Sequence, residues 1–283
     1  MQYPQSRIRR LRRRGTLHLF PLALLCGAAA PVVAQPVDPA LASAAQGEGV
    51  LTLGAGAAFG PRYSGSDKRA GSAALLFDYA SPGGFFAGTA RGIGYGNQHG
   101  MWRYSAALGY RPGRKDSDQN GLTGATGSAY LRGMGEVKGS AVALLGVGLA
   151  PADWVALALQ AELPLSQRDN GSVLRFSFST PLYRGQDDTL TFGLTASFGD
   201  GKYMRTYYGV SESQSAASGF AAYRPKAGLF EHRLELGWRH KFNAEWAFNV
   251  SAGVRQLTSD AGKSPIVQRK TAPVGSLFVT YTY

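Results

Sequence analysis

The sequence predicts an all-β protein: a transmembrane, antiparallel, up-and-down β-barrel of about 12 strands (range about 10–14), preceded by a cleaved signal peptide. Three observations predict it. An export leader opens the chain, long stretches alternate with period two, and the last strand ends on an aromatic residue.

The leader comes first. Residues 7–14 hold six arginines (Arg7, Arg9, Arg10, Arg12, Arg13, Arg14) and no acid. An apolar stretch follows from Leu17 to Ala30 and closes on Val32-Val33-Ala34. A basic region, a short apolar region and a small-residue cleavage site make a signal peptide. The cut is expected after Ala34, which leaves 35–48 as a short periplasmic N-terminal segment and 49–283 as the barrel. The apolar run is short and interrupted by His18, Pro21 and Pro31, so it makes a poor spanning helix. Cys26 is the one cysteine, and Leu25 stands where a lipoprotein signal needs a small residue. The mature chain therefore carries no disulfide, thiolate metal site or lipid anchor.

Removing the six leader arginines lowers the net charge from +12 to +6. Much of the basicity is thus an export signal, and no nucleic-acid patch is expected. After the leader no run of 18 uncharged apolar residues occurs. An exported chain that spans a membrane without such runs must pair its backbone in a closed barrel.

The strand pattern is clearest at 229–242, where Phe230, His232, Leu234, Leu236, Trp238, His240 and Phe242 alternate with Glu231, Arg233, Glu235, Arg239 and Lys241. A strand with one apolar and one charged face over that length outruns an ordinary soluble strand of about 5–6 residues. The pattern recurs at Trp246–Arg255, Leu190–Phe198, Leu174–Leu182, Val155–Leu163 and Arg103–Arg111. Twelve strands are expected, at 49–60, 70–80, 83–94, 101–111, 138–149, 153–165, 171–184, 188–198, 204–211, 228–242, 245–257 and 273–283. In the last of them Leu277, Val279, Tyr281 and Tyr283 share a face, as in the C-terminal signal read by the barrel-insertion machinery.

With both termini periplasmic, parity places 61–69, 97–100, 151–153, 185–187, 213–226 and 260–272 outside, and the turns at 81–84 and 243–245 inside. It also puts the long polar connector 112–137 on the periplasmic side. The predicted lumen carries Arg91, Arg103, Arg175, Arg233, Arg239, Lys241 and Arg255 against Glu162, Glu231 and Glu235. In a barrel this narrow, such side chains are expected to pair across the bore.

Four segments resemble the MipA/OmpV family of outer-membrane proteins. They are Gly60-Pro61-Arg62-Tyr63-Ser64-Gly65-Ser66-Asp67; Gly84-Phe85-Phe86 through Arg91-Gly92-Ile93-Gly94-Tyr95; Tyr203-Met204-Arg205-Thr206-Tyr207-Tyr208-Gly209-Val210-Ser211, followed by Gln214-Ser215-Ala216-Ala217-Ser218-Gly219; and Asp260-Ala261-Gly262-Lys263-Ser264-Pro265-Ile266-Val267. Leu131–Val137 resembles a further family element. The resemblance singles out Tyr63, Gly65, Ser66, Asp67, Tyr207, Tyr208, Gly209, Ser264 and Pro265 as family-motif loop residues. It implies a Gram-negative outer-membrane location and a scaffold that links the membrane to a periplasmic murein hydrolase and synthase. Other members are described as porin-like or adhesion-related.

No catalytic, cofactor or metal set emerges from the residues, and no enzyme is expected. His232 and His240 stand about 27 Å apart along one strand and cannot share a metal. Asp116, Asp118 and Asn120 would need a glutamate at 127 to close a calcium loop, and Gly127 stands there. A loop-borne triad of His99 with Ser66 and Asp67 is conceivable, but nothing in the spacing demands it. Two functions follow: a scaffold whose 112–137 connector docks a cell-wall enzyme, or a narrow anion-preferring channel.

Overall fold

The computed structural model describes residues 49–121, 124–125 and 127–283. The expected signal peptide (1–34) and N-terminal segment (35–48) lie outside the described residues. Twelve strands close one antiparallel barrel: β1 (Val50–Pro61), β2 (Arg69–Ala80), β3 (Phe85–Gly88), β4 (Gly92–His99), β5 (Trp102–Arg111), β6 (Ser140–Ala152), β7 (Val155–Pro164), β8 (Val173–Arg184), β9 (Asp188–Gly199), β10 (Gly228–Lys241), β11 (Trp246–Leu257) and β12 (Thr271–Thr282). Each pairs with its sequence neighbours. The seam closes between β12 and β1, with Leu53 opposite Tyr281 and Phe59 opposite Gly275.

The alternation turns one face of every long strand to lipid. On β10, Leu234, Leu236 and Trp238 are exposed while Glu231 and Arg233 are buried. On β2, Leu75 is 80% exposed, the behaviour of a side chain whose solvent is hydrocarbon. No helix among the described residues is long and apolar enough to cross a membrane; the strands do the crossing.

The strand count matches expectation, but two of its members differ. The expected strand 83–94 is a hairpin of two strands. The chain reverses at Thr89-Ala90-Arg91, and Gly92 adopts φ +78°. A Cβ at Gly92 would lie 2.1 Å from the Leu108 carbonyl oxygen, so only glycine fits. Arg91 locks the reversal. Its Nε donates to Asp78 Oδ2 at 2.6 Å, and its guanidinium lies 4.4 Å from the Phe86 ring centroid.

The expected strand 204–211 is instead a helix, α1 (Gly201–Tyr208). Asp200 caps it, its Oδ1 accepting from Tyr203 N at 2.7 Å. The spacing of Tyr203, Met204, Tyr207 and Tyr208 is one helical face rather than one strand face. A second helix, α2 (Glu212–Ser218), starts on a capping box between Ser211 and Gln214 and ends at Gly219 with φ +80°. A short α3 spans Ser259–Gly262.

Splitting one strand and losing another shifts the topology between them. Val50 and Tyr283 share one end, the terminal rim, with the short connections 81–84, 100–101, 153–154, 185–187 and 242–245. The opposite loop end holds 62–68, 112–139, 165–172, 200–227 and 258–270. The connections at 97–100, 151–153 and 185–187, expected outside, therefore lie on the terminal rim. The 112–137 connector, expected to be periplasmic, lies with the other long loops. Short turns on one rim and long loops on the other is the outer-membrane pattern, and it sets the terminal rim toward the periplasm. All four tryptophans sit at that rim: Trp102 opens β5, Trp246 opens β11, Trp154 is in a turn, and Trp238 is three residues from the end of β10.

Candidate functional site

Every long loop converges into a cap over the loop end. Its lower layer packs α1 onto the wall: Met204 and Tyr208 are buried against Val173, Phe230, Leu257 and Ala261, flanked by Tyr203, Tyr207 and Val267. The Tyr203 and Phe230 rings stand 4.9 Å apart. The second apolar cluster joins Tyr63, Leu131, Met134, Val210 and Ile266, with Phe220 and Tyr223 against it. The two clusters draw on all five loop-end connections or the strand ends beside them.

Polar bonds interlock the same segments. Tyr63 OH donates to the Ile266 carbonyl at 2.8 Å. Ser64 Oγ and Tyr208 OH share a hydrogen bond of 2.7 Å. Ser264 Oγ donates to the Tyr208 carbonyl at 2.6 Å. The Gly65 carbonyl accepts from Gln268 N at 2.8 Å and Arg269 N at 3.0 Å. Gly65 has φ +104°, and a Cβ there would lie 2.7 Å from Val267 Cγ2. A Cβ at Gly209 would lie 2.4 Å from the Arg205 carbonyl oxygen.

Of the motif residues singled out by sequence, Tyr63, Gly65, Ser66, Tyr207, Tyr208, Gly209, Ser264 and Pro265 thus meet in the cap, whereas Asp67 is exposed. The C-terminal set lies elsewhere, on β12. Leu277 and Val279 face outward, and Tyr281 packs on Trp246 and Tyr283 at centroid distances of 4.9 and 4.5 Å.

Three further residues hold the cap. Arg114, in the connector, donates from Nη1 to the Tyr207 carbonyl at 2.8 Å and from Nη2 to the Thr206 carbonyl at 3.4 Å. A cation at the C-terminal end of α1 meets the negative end of the helix dipole. Gln214 Nε2 donates to the Met134 carbonyl at 2.7 Å, tying α2 to the connector. Arg111 crosses from β5 to bond Glu162 on β7 and lies 5.2 Å from the Tyr203 ring centroid. A sequence signal exists only for the helix face; the loop-to-loop contacts have none.

Burial sets the electrostatics of the cap. It pushes the Tyr63, Tyr203, Tyr207 and Tyr208 hydroxyls above the usual tyrosine range, which keeps all four neutral. It lowers the Arg114 guanidinium from its ordinary value, opposed by the nearby tyrosines.

Below the cap, ion pairs among the described wall charges run within one strand or between neighbouring or next-but-one strands, where pairing across the bore was expected. Arg175 Nη1 donates to Glu162 Oε2 at 2.6 Å, and Arg255 Nε to Glu231 Oε2 at 2.8 Å. Arg233 lies 3.9 Å from Glu235. Lys241, expected in the lumen, is exposed at the terminal rim. His240 Nδ1 is 2.9 Å from Asp188 Oδ1 at that rim, and His232 lies toward the loop end. His99 ends β4 at the terminal rim while Ser66 and Asp67 stand at the loop end, so the conceivable triad is not assembled.

A closed barrel with an apolar outer belt, a tryptophan rim and a capped loop end defines a Gram-negative outer-membrane barrel. The chain belongs to the family described as MltA-interacting protein MipA, whose family model matches residues 53–283. The MltA-interacting proteins of Escherichia coli (strain K12) and Shigella flexneri are each 28% identical over 95 residues, 34% of this chain. The match spans 38% of the length of each of these curated relatives. Among solved structures, the NanC porin aligns at TM-score 0.46 and 10% identity over 82% of this chain and 98% of that chain. The KdgM porin aligns at TM-score 0.37 and 9% identity over 83% and 99%.

Proposed function

We propose that this protein is a capped, non-conducting barrel that anchors a murein-remodelling enzyme at the inner face of the outer membrane. The observation that carries the reading is the cap: two apolar clusters and a set of hydrogen bonds draw the long loops together over the loop end. A pore gains nothing from such closure, whereas an anchor gains rigidity. The connector 112–137 is part of that cap, so a periplasmic enzyme must be met by the terminal rim and the 35–48 segment that precedes β1. The name of the curated relatives, MltA-interacting protein, supports a murein enzyme as partner. In this reading residues 1–34 are cleaved on export, Leu277, Val279, Tyr281 and Tyr283 serve the insertion machinery, and the chain performs no reaction of its own.

The experiment is a pull-down of a murein lytic transglycosylase with the mature barrel and with a form lacking 35–48. Capture by the mature form and loss on truncation are expected. Absence of capture by the mature barrel overturns the reading.

One observation favours a narrow anion-preferring channel. Six arginines (Arg103, Arg111, Arg175, Arg233, Arg239, Arg255) face inward against Glu162, Glu231 and Glu235. Steady anion-selective steps from the intact protein in a planar bilayer would establish it in place of the anchor.

A further inference from the structure

Five cations of the loop end gather at the barrel seam. Lys68 and Arg69 lead into β2, Lys263 follows α3, and Arg269 and Lys270 lead into β12. These positions surround the loop ends of β2, β1 and β12, three adjacent strands. Backbone bonds fix them together: Arg62 N donates to the Lys68 carbonyl at 3.0 Å, Arg269 N to Gly65 at 3.0 Å, and Leu257 N to Lys270 at 2.8 Å.

All five side chains are exposed. None has a carboxylate partner among the described residues. The other loop-end cations with partners pair elsewhere, as Arg62–Asp118, Lys115–Glu136 and Lys202–Asp169. Asp67 is the one exposed acid in the sector, and the Asp260 carboxylate accepts from Lys226 N at 2.9 Å. Among the described residues the terminal rim shows no such excess: its exposed charges are Arg184 and Lys241 against Asp153, Asp187 and Glu245.

The patch sits directly above the lipid-facing surface. Arg69 shares the outward phase of β2 with Gly71, Ala73, Leu75 and Phe77. Beside them on β1 the outward residues are Leu53, Ala55, Ala57 and Phe59, with Ala57 opposite Ala73 and Phe59 opposite Gly71. Below the cations, then, the wall is a shallow strip of Gly71, Ala73, Ala55 and Ala57, bounded by the larger Phe59 and Leu75.

We propose that this sector binds a phosphorylated lipid of the outer leaflet. Lys68, Arg69, Lys263, Arg269 and Lys270 hold its headgroup phosphates, and one acyl chain lies along the small-residue strip. Guanidinium groups match phosphate geometry with paired hydrogen bonds, and cations at headgroup height add attraction to an anionic surface. The placement follows from the loop end facing the outer leaflet and is independent of whether the terminal rim holds an enzyme.

The test reconstitutes the mature barrel in phosphatidylcholine nanodiscs doped with bisphosphorylated lipid A or with its dephosphorylated form, and counts retained lipid by native mass spectrometry. Wild type should retain the phosphorylated form about tenfold over the other. The double variant Arg69→Gln/Lys270→Gln should lose about that factor, whereas Arg132→Gln/Lys138→Gln, in the connector, should keep it. Heat-modifiable gel migration verifies that each variant is folded. Equal retention of both lipids, equal loss in both variants, or displacement by millimolar inorganic phosphate alone would overturn the proposal.

Discussion

Tyr208 shows how the cap is held residue by residue. Its ring packs against Tyr203 and Phe230, its hydroxyl meets Ser64, and its carbonyl accepts from Ser264. Tyr208→Phe removes one buried hydrogen bond and should cost about 1 kcal/mol, and Tyr208→Ala about 3–5 kcal/mol. Protease nicking within 209–227, in detergent, reads both. Alkaline pH probes the same residues. The ordinary tyrosine value is 10.0, and burial raises Tyr63 and Tyr208 above it in the folded state. The unfolded chain therefore loses these protons first. Cap stability is full below the unfolded value and falls as pH rises from there through the folded values. Tyrosinate absorbance that lags in the folded protein, with nicking that begins as it appears, is the expected outcome. Apart from Asp67, the motif residues that the sequence singled out come together in the cap. Arg114 carried no sequence signal, because it acts on carbonyls of a segment far away in the chain.

At the scale of elements, α1 and the β3–β4 hairpin carry the lessons. The stretch 204–211, expected as a strand, is helical up to Tyr208. The Asp200 cap and the Tyr203/Met204/Tyr207/Tyr208 spacing pointed to a helix, and packing against the barrel mouth decides for it. Asp200 also accepts from Ser172 N at 2.8 Å. Asp200→Ala should therefore cost more than the roughly 1 kcal/mol of an ordinary cap, and Asp200→Asn, whose amide nitrogen cannot accept, should lose one of the two bonds and fall between Ala and wild type, measured by denaturant unfolding in detergent. In the hairpin, Asp78→Ala leaves Arg91 largely buried without its carboxylate. A loss of about 3–5 kcal/mol is expected, read as a lowered melting temperature.

For the whole molecule, the strand number came out right through two opposite differences, one strand divided and one turned helical. Between them the sides were reversed, which is why the connector changed faces. Long alternating strands such as β10 and β11 were legible because lipid on one side and polar lumen on the other impose period two. The cap was not, since loop sequences answer to one another and to no common solvent. The closed end predicts electrical silence from the intact barrel in a planar bilayer. Replacing 202–226 with a short flexible linker should produce steady steps, and silence from that form would place the block deeper in the wall. With all four tryptophans at one rim, lipids brominated in the periplasmic leaflet alone should quench most of the fluorescence.

The bonds from Gly65 to Gln268 and Arg269, and from Tyr63 to Ile266, tie the first hairpin of the barrel to the approach of its last strand. The clasp can fasten only after the two ends of the chain have met. A barrel arrested before that stage would still be open to the outside, so the finished protein should acquire its tightness and its resistance to proteases in a single terminal step of assembly.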